Sequence, residues 1–282
     1  MYSTGIFKIH RYEILFEKYG EPIYLIPFGD VHRSSNMCHE EKWLEFCQWS
    51  AKKKRAYFLG MGDYDDLMSG SNRDIVGNRG IYDTTKKTLE DTYLWHTKRL
   101  AKEIGYMNGR IIGMLEGNHY AEFSNGTNTT QKLCELLKTT YLGVSTFIRL
   151  SFKNKNDSPI SIDIWAHHGK SGGRSVGGSL NKVFQMTEAA NADIFLQGHD
   201  HKKLVSMSTK LELSQGGSYN MRLHHRKQLY CRTGSFLKGY EDNRASYIAD
   251  GAMNPTDLGV VKIELTPKKE DNHKYIDIHA SI

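Results

Sequence analysis

Residues 192–201 read ADIFLQGHDH: an apolar run, a glycine, then two histidines around one aspartate. A short run rich in Ile, Phe and Leu reads as a buried strand. His199 and His201 stand two residues apart at its end, and alternate residues of an extended chain face the same side. A polar turn would account for the composition. Two imidazoles converging on a metal, with Asp200 pointing away, would account for the spacing. The choice turns on whether other strand ends supply further ligands.

Four other stretches repeat the pattern: YLIPFGDVH at 24–32, AYFLGMGDYDD at 56–66, RIIGMLEGNHY at 110–120 and ISIDIWAHHG at 160–169. They deliver Asp30 and His32, Asp63 and Asp66, Asn118 and His119, and His167 and His168. Helical periodicity fills the gaps, over 39–54, 84–104, 128–139 and 179–190. In the first of these Trp43, Phe46, Cys47 and Ser50 form one stripe. Strands alternating with helices predict an α/β sheet covered on both faces, with ligands beyond the carboxyl ends of its strands. After residue 203 the pattern changes to strands and turns without an obvious helix, as in QLYCRTGSF, LGVVKIEL and HKYIDIHASI. That predicts a second sheet packed on the first. With five prolines and no Pro/Gly/Ser-rich linker, the expectation is a single domain over 1–282. Its motifs lie within 24–201 and its C-terminal strands within 204–282.

Hydrophobic residues at 39% and charged residues at 25% are ordinary for a globular protein. No apolar run is long enough to span a bilayer, and the first twenty residues lack a signal peptide's apolar middle, so no membrane partner is expected. Four scattered cysteines with no CxxC point to a reducing, cytoplasmic setting. The net charge of +6 is spread along the chain, and the clusters AKKKR at 51–55 and HHRK at 224–227 read as solvated surface. Thirteen histidines stand out, histidine being the commonest metal ligand.

Taken singly, these motifs are weak. D-x-H recurs by chance, G-N-H reads as a turn, and a lone His168 reads as a satisfied core histidine. Five polar clusters in order, each closing an apolar run, are a different matter. The ordered set D-x-H, G-D-x-x-D, G-N-H, a histidine before glycine, and G-H-x-H resembles the calcineurin-like metallophosphoesterase superfamily. HGKSGGRSVGG at 168–178 is similar to a glycine-rich run of its phage and bacterial members. That run favours His168 over the adjacent His167 as a ligand.

The resemblance implies two packed mixed sheets flanked by helices, a four-layer αββα sandwich. It implies two divalent or trivalent metal ions, Mn before Fe or Zn, with a bridging hydroxide that attacks phosphorus. Asp30, His32, Asp63 and His201 would hold one metal, and Asp63, Asn118, His168 and His199 the other. His119 would act on the leaving oxygen and Asp66 would orient it. Tyr120 departs from the acid many relatives carry after G-N-H. Arg174 is a candidate to steady a phosphate oxygen, with a solvent-facing role as the alternative.

The chemistry suits the residues. Two divalent cations outweigh Asp30, Asp63 and a bridging hydroxide, so the site would attract an anionic ester. Imidazole and carboxylate donors without thiolate suit Mn, Fe or Zn better than Ca or Mg. The expected activity is hydrolysis of phosphate esters, diesters first, with nucleotides or nucleic acid among the candidate substrates. The alternatives are a phosphomonoesterase, or a metal-binding interaction module on the same fold without catalysis. A structural zinc site is disfavoured, because such sites use closed Cys/His sets at short spacings. The irregular stretch at 68–84 is long enough to be functional, and its Arg73 and Arg79 fit a phosphate contact or a solvated surface equally.

Overall fold

The computed structural model describes residues 9–69, 72–73, 82–155, 157–213, 223–271 and 273–282. Its strands in chain order begin with β1 (Ile9–Leu15), β2 (Ile23–Phe28), β3 (Ala56–Gly60), β4 (Ile111–Met114), β5 (Ser145–Lys153) and β6 (Ile160–His167). There follow β7 (Ile194–Gln197), β8 (Lys203–Leu213), β9 (Leu223–Ser235), β10 (Gly259–Val260), β11 (Lys262–Glu270) and β12 (His273–Ser281). They form two mixed sheets. One runs β12-β11-β2-β3-β4, with β2, β3 and β4 parallel and the C-terminal pair antiparallel. The other runs β1-β5-β6-β7-β9-β10, with β8 on β9 and a parallel β6-β7-β9 centre.

Strand chemistry explains the layering. β5 alternates buried and less buried residues, as a strand with one covered face must. Its Ile148, Leu150 and Phe152 meet Ile162 and Ile164 of β6 and, from the opposite sheet, Leu25, Leu59, Ile112, Ile263 and Leu265. Each such side chain, fully buried, contributes about 1.5–3 kcal/mol. The outer face of the β2-β3-β4 sheet is covered by helices Glu40–Lys52, Asp83–Glu103 and Thr129–Leu136, through Trp43, Phe46, Leu100 and Leu133 against Phe28 and Phe58. Helix Val176–Phe184 covers the other sheet, where Val183 meets Phe195 and Tyr230. The layers therefore run helix, sheet, sheet, helix, as expected.

Helix Glu40–Lys52 shows why these segments are helical. His39 caps it by accepting from the Lys42 amide at 3.3 Å, and Glu40 and Glu41 complement the N-terminal dipole. The stripe Trp43, Phe46, Cys47 and Ser50 is buried in full. Pro27 lies in β2 yet breaks no ladder, because β11 pairs only with Ile23, Tyr24 and Leu25. Two strands, β1 and β5, carry no glycine-plus-polar ending and are not singled out by the sequence pattern. The segment after 203 also holds a one-turn helix, Tyr247–Asp250, that periodicity over so few residues does not reveal. Among the described residues no helix is long and apolar enough to cross a membrane.

Candidate metal centre

All the ligand candidates emerge from carboxyl ends of parallel strands. Asp30 and His32 follow β2, Asp63 follows β3 and Asn118 follows β4. From the other sheet, His168 follows β6, and His199 and His201 follow β7. The site therefore straddles both sheets along one edge. The strands themselves stop short of these residues, at Phe28, Gly60 and Gln197. Asp30 (φ 46°), His32 (φ 50°), Asp63 (φ 48°), His199 (φ 66°) and His201 (φ 57°) all adopt left-handed backbone. The pleat of an extended strand thus does not make Asp30 and His32, or His199 and His201, converge; a left-handed turn does. Such conformations cost about 1–3 kcal/mol each and persist where surrounding bonds over-determine them. Here the Asp30 amide donates to Gly62 O at 2.9 Å and the Val31 amide to Asp63 O at 2.8 Å. The Ser235 hydroxyl donates to Asp30 O at 2.8 Å.

Besides a close set of His32, Asp66 and His119, two groups of donors result. Asp30, His32 and His201 form one, with His201 Nε2 3.6 Å from Asp30 Oδ1. Asp63, His168 and His199 form the other, with His168 Nε2 3.2 Å from Asp63 Oδ2. Asn118 Oδ1 joins the second group, 3.1 Å from His168 Nε2 and 3.0 Å from His199 Nδ1. Asp63 Oδ2 also stands 3.9 Å from His32 Nε2, so one carboxylate lies between the two groups. Its other oxygen accepts the backbone amides of Asn118 at 2.6 Å and His119 at 2.9 Å. Gly117 makes that approach possible: a Cβ there would overlap the Asp63 carboxylate.

The orphaned atoms test whether a metal fits. Asp30 Oδ1 and both ring nitrogens of His32 are buried without a hydrogen-bond partner, an arrangement costly unless a further group satisfies them. Asp30 Oδ1 lies 3.6 Å from His201 Nε2 and His32 Nε2 3.9 Å from Asp63 Oδ2, whereas His32 Nδ1 is turned to Asp66, 3.7 Å from its Oδ2. A carboxylate oxygen and the one unprotonated nitrogen of an imidazole are acceptors that a cation suits, and the donors are nitrogen and oxygen alone. The four cysteines are buried and free, outside the donor groups. The residues fit divalent metals with imidazole and carboxylate preference.

The protein groups by themselves are electrostatically strained accordingly. Burial raises Asp30 to about 6, against the opposing pull of His168. Burial alone would depress His168, but the carboxylate of Asp63 beside it outweighs this and raises the ring to about 9. The same partnership, with His32 and His119 assisting, overcomes burial and holds Asp63 well below the usual carboxylate range. His201, buried and near His32, is pushed well below the ordinary imidazole value. His168 is therefore protonated at pH 7 without metal and must lose its proton to ligate. Metal binding at pH 7 is expected to release roughly one proton from His168, and apparent affinity to fall as pH is lowered. Calorimetry in buffers of different ionisation enthalpy measures the release; none at all would contradict His168 as a ligand.

Beside the metal groups, His119 Nδ1 lies 2.6 Å from Asp66 Oδ1, and Asp66 Oδ2 lies 3.7 Å from His32 Nδ1. Burial raises Asp66, but His119 and His32 beside it together outweigh this and keep it ionised. His167 is not brought in: its Nδ1 accepts the Gly169 amide at 2.7 Å, and it joins neither donor group. Asp200 does turn away. It bonds Ser179 Oγ, takes Lys202 Nζ at 2.8 Å, and lies 3.6 Å from Arg232 Nε. Arg174 lines a neighbouring cavity with His199 and His201.

Two arginines hold backbone around the site in roles that the sequence did not indicate. Arg232, 1% exposed, donates to Gly198 O at 3.0 Å and to Ser179 O at 3.1 Å, fixing the glycine before His199. Its one signal in sequence is a charge inside the apolar run QLYCRTGSF. Arg73, for which a phosphate contact and a solvated surface stood equally open, is half-buried against the backbone. Its Nη1 donates to the carbonyls of Met68 at 3.0 Å, Asn118 at 3.0 Å and Tyr120 at 2.8 Å, and its guanidinium stacks 3.8 Å over the Tyr120 ring. Tyr120, the departure from the motif, is the platform for that clamp. Arg79 and most of the 68–84 stretch lie outside the described residues. Arg73→Ala is expected to lower metal affinity and any turnover about 10–100-fold by loosening the Asn118–Tyr120 turn, with Arg73→Lys intermediate. Metal titration and steady-state rates check this.

Compared with models of protein families and with curated proteins, the chain has no match. Among solved structures it is similar to Vacuolar Protein Sorting 29 from Cryptosporidium parvum, at 11% identity and a TM-score of 0.35, over 94% of this chain and 99% of that one. It is also similar to a double mutant of Vps29 from Entamoeba histolytica, at 12% identity and a TM-score of 0.36, over 93% and 100% respectively. Likeness of that degree transfers no activity. What the coordinates define is a two-sheet α/β protein with residue groups suited to metal at one edge of both sheets.

Proposed function

We propose that this chain is a single-domain metallophosphoesterase of the calcineurin-like type, hydrolysing phosphate esters, diesters ahead of monoesters. The observation that carries the reading is Asp63: one carboxylate between two sets of nitrogen and oxygen donors, with unsatisfied buried acceptors facing it. Asp30, His32, Asp63 and His201 would hold one metal, and Asp63, Asn118, His168 and His199 a second, with Mn favoured and Fe or Zn as alternatives. Bound there, the pair would supply Lewis acidity toward phosphoryl oxygens and a water acidic enough to ionise near neutral pH.

The chain's own groups do the rest. Ionised Asp66 holds the Nδ1 proton of His119 and leaves Nε2 as the ring's remaining edge, on a side chain that lines a cavity of about 490 Å³. With a second proton on Nε2, the ring would pass that proton to the leaving oxygen while Asp66 keeps the one on Nδ1. Ser35, Asn36, Leu237 and Lys238 extend the walls of that cavity. The space exceeds what a phosphate group fills, and room for organic groups on either ester oxygen favours diesters.

Metal analysis paired with hydrolysis of bis-p-nitrophenyl phosphate and p-nitrophenyl phosphate after Mn loading tests the reading. Two metals per chain with diester turnover is the expected result. Monoester turnover alone would make it a phosphomonoesterase. Full occupancy with neither ester cleaved would favour an interaction module, and no bound metal would overturn the site altogether.

A further inference from the structure

A second cavity, of about 330 Å³, adjoins the one over His119, and His199, His201 and Ile248 line both. The two metal-facing histidines of the β7 turn are thus a partition, not an end wall. The far side is chemically distinct. Lys170, Arg174 and Lys202 line it against the single acid Asp200, with Ile248 and Met253 supplying apolar surface. Lys202 is committed, its amine bonded to Asp200 at 2.8 Å and to Gly173 O at 2.9 Å. That pairing neutralises Asp200 and leaves Lys170 and Arg174 as exposed cations for which the described residues provide no partner.

Their loop is held in place. A Cβ on Gly172 would overlap the Asp200 side chain, and one on Gly173 would overlap the Ser179 backbone. Ser175 caps the following helix by accepting the Gly178 amide at 3.0 Å. The cations therefore project from a packed backbone, so an anion that binds them has to order their side chains but not their loop. A molecule crossing from one cavity to the other passes the His199–His201 partition, where the ester to be cleaved would lie.

We propose that this second cavity is a subsite for a phosphate one unit away from the phosphate being hydrolysed. The substrate class is then a nucleotide chain or nucleoside bisphosphate rather than an ester carrying one phosphate. Arg174 and Lys170 take the distal phosphate, and Ile248 and Met253 border the sugar or base. The inference rests on the phosphoesterase reading for the role of the metal-facing cavity.

Calorimetric binding to the Mn-loaded full chain tests it directly, with thymidine 3′,5′-bisphosphate against the 3′- and 5′-monophosphates. The bisphosphate is expected to bind about tenfold more tightly than either, as charge-assisted contacts to a guanidinium and an ammonium allow. In a Lys170→Ala/Arg174→Ala double variant the advantage is expected to fall below about threefold, and in the unaltered protein to shrink with added salt. Equal affinities, or an advantage the double variant keeps, would overturn the subsite. Bis-p-nitrophenyl phosphate, with one phosphate, separates the two readings. If it is cleaved while the three ligands bind alike, the esterase stands and the subsite falls. If it is not cleaved while the bisphosphate preference appears and depends on the two cations, the subsite stands and catalysis falls.

Discussion

Asp63→Asn is expected to abolish binding of both metals and lower diester hydrolysis by a factor on the order of 10³ or more. Loss of a residue behind a ligand already costs about 10–100-fold, and Asp63 faces both donor groups. Its Oδ2 lies 3.2 Å from His168 Nε2 and 3.9 Å from His32 Nε2, while Oδ1 holds the amides of Asn118 and His119. An amide of the same shape removes the charge that both cations would share, and places a donor group against those backbone amides or against the metals. Thermal unfolding with and without Mn gives a readout independent of turnover. The parent is expected to gain about 2.7 kcal/mol per site at a metal concentration one hundred times that site's dissociation constant, and the variant almost none. A variant that retains two metals and full turnover would sink the shared-carboxylate reading.

The second large effect belongs to His119. His119→Ala is expected to lower turnover about 10²–10⁴-fold, the usual contribution of a positioned proton donor, while both metals stay bound. Metal retention follows from the geometry: His119 touches Asp63 through its backbone amide, which alanine keeps. The defect should depend on the leaving group. A p-nitrophenolate departs with little protonation, so bis-p-nitrophenyl phosphate should suffer less than a dinucleotide whose leaving group is a sugar hydroxyl. Equal losses on the two substrates would remove His119 from the proton-donor role. Asp66→Asn should reproduce a smaller version, because it keeps an acceptor but loses the negative charge that Asp66 Oδ1 sets 2.6 Å from His119 Nδ1.

Much of this was readable from residues 24–201. Apolar runs closed by glycine and polar residues mark β2, β3, β4 and β7, because a strand buried on both faces must be apolar along its length. β6 buries only alternate residues and is marked by the histidines that end it, whereas β1 and β5 alternate and end without a motif. Helix positions followed from periodicity, as in the Trp43–Ser50 stripe. The motif histidines and acids also pointed to one another, since five strand ends along one edge have few other places to meet.

Sequence by itself determined which residue types stand at those strand ends, and hence that nitrogen and oxygen donors gather there. It could not determine how they converge, because alternation along a strand and a left-handed turn after it place residues i and i+2 on one side alike. Only the tertiary structure decided for the turn, through amides and carbonyls contributed by neighbouring loops. The glycine-rich run already favoured His168 over His167, and the tertiary structure turns the His168 ring toward Asp63 while His167 stays on its own loop. Arg73 and Arg232 owe their places to carbonyls 45 and 34 residues away in the chain. Such long-range hydrogen bonds leave no local pattern, because the acceptor is a backbone group that every residue carries.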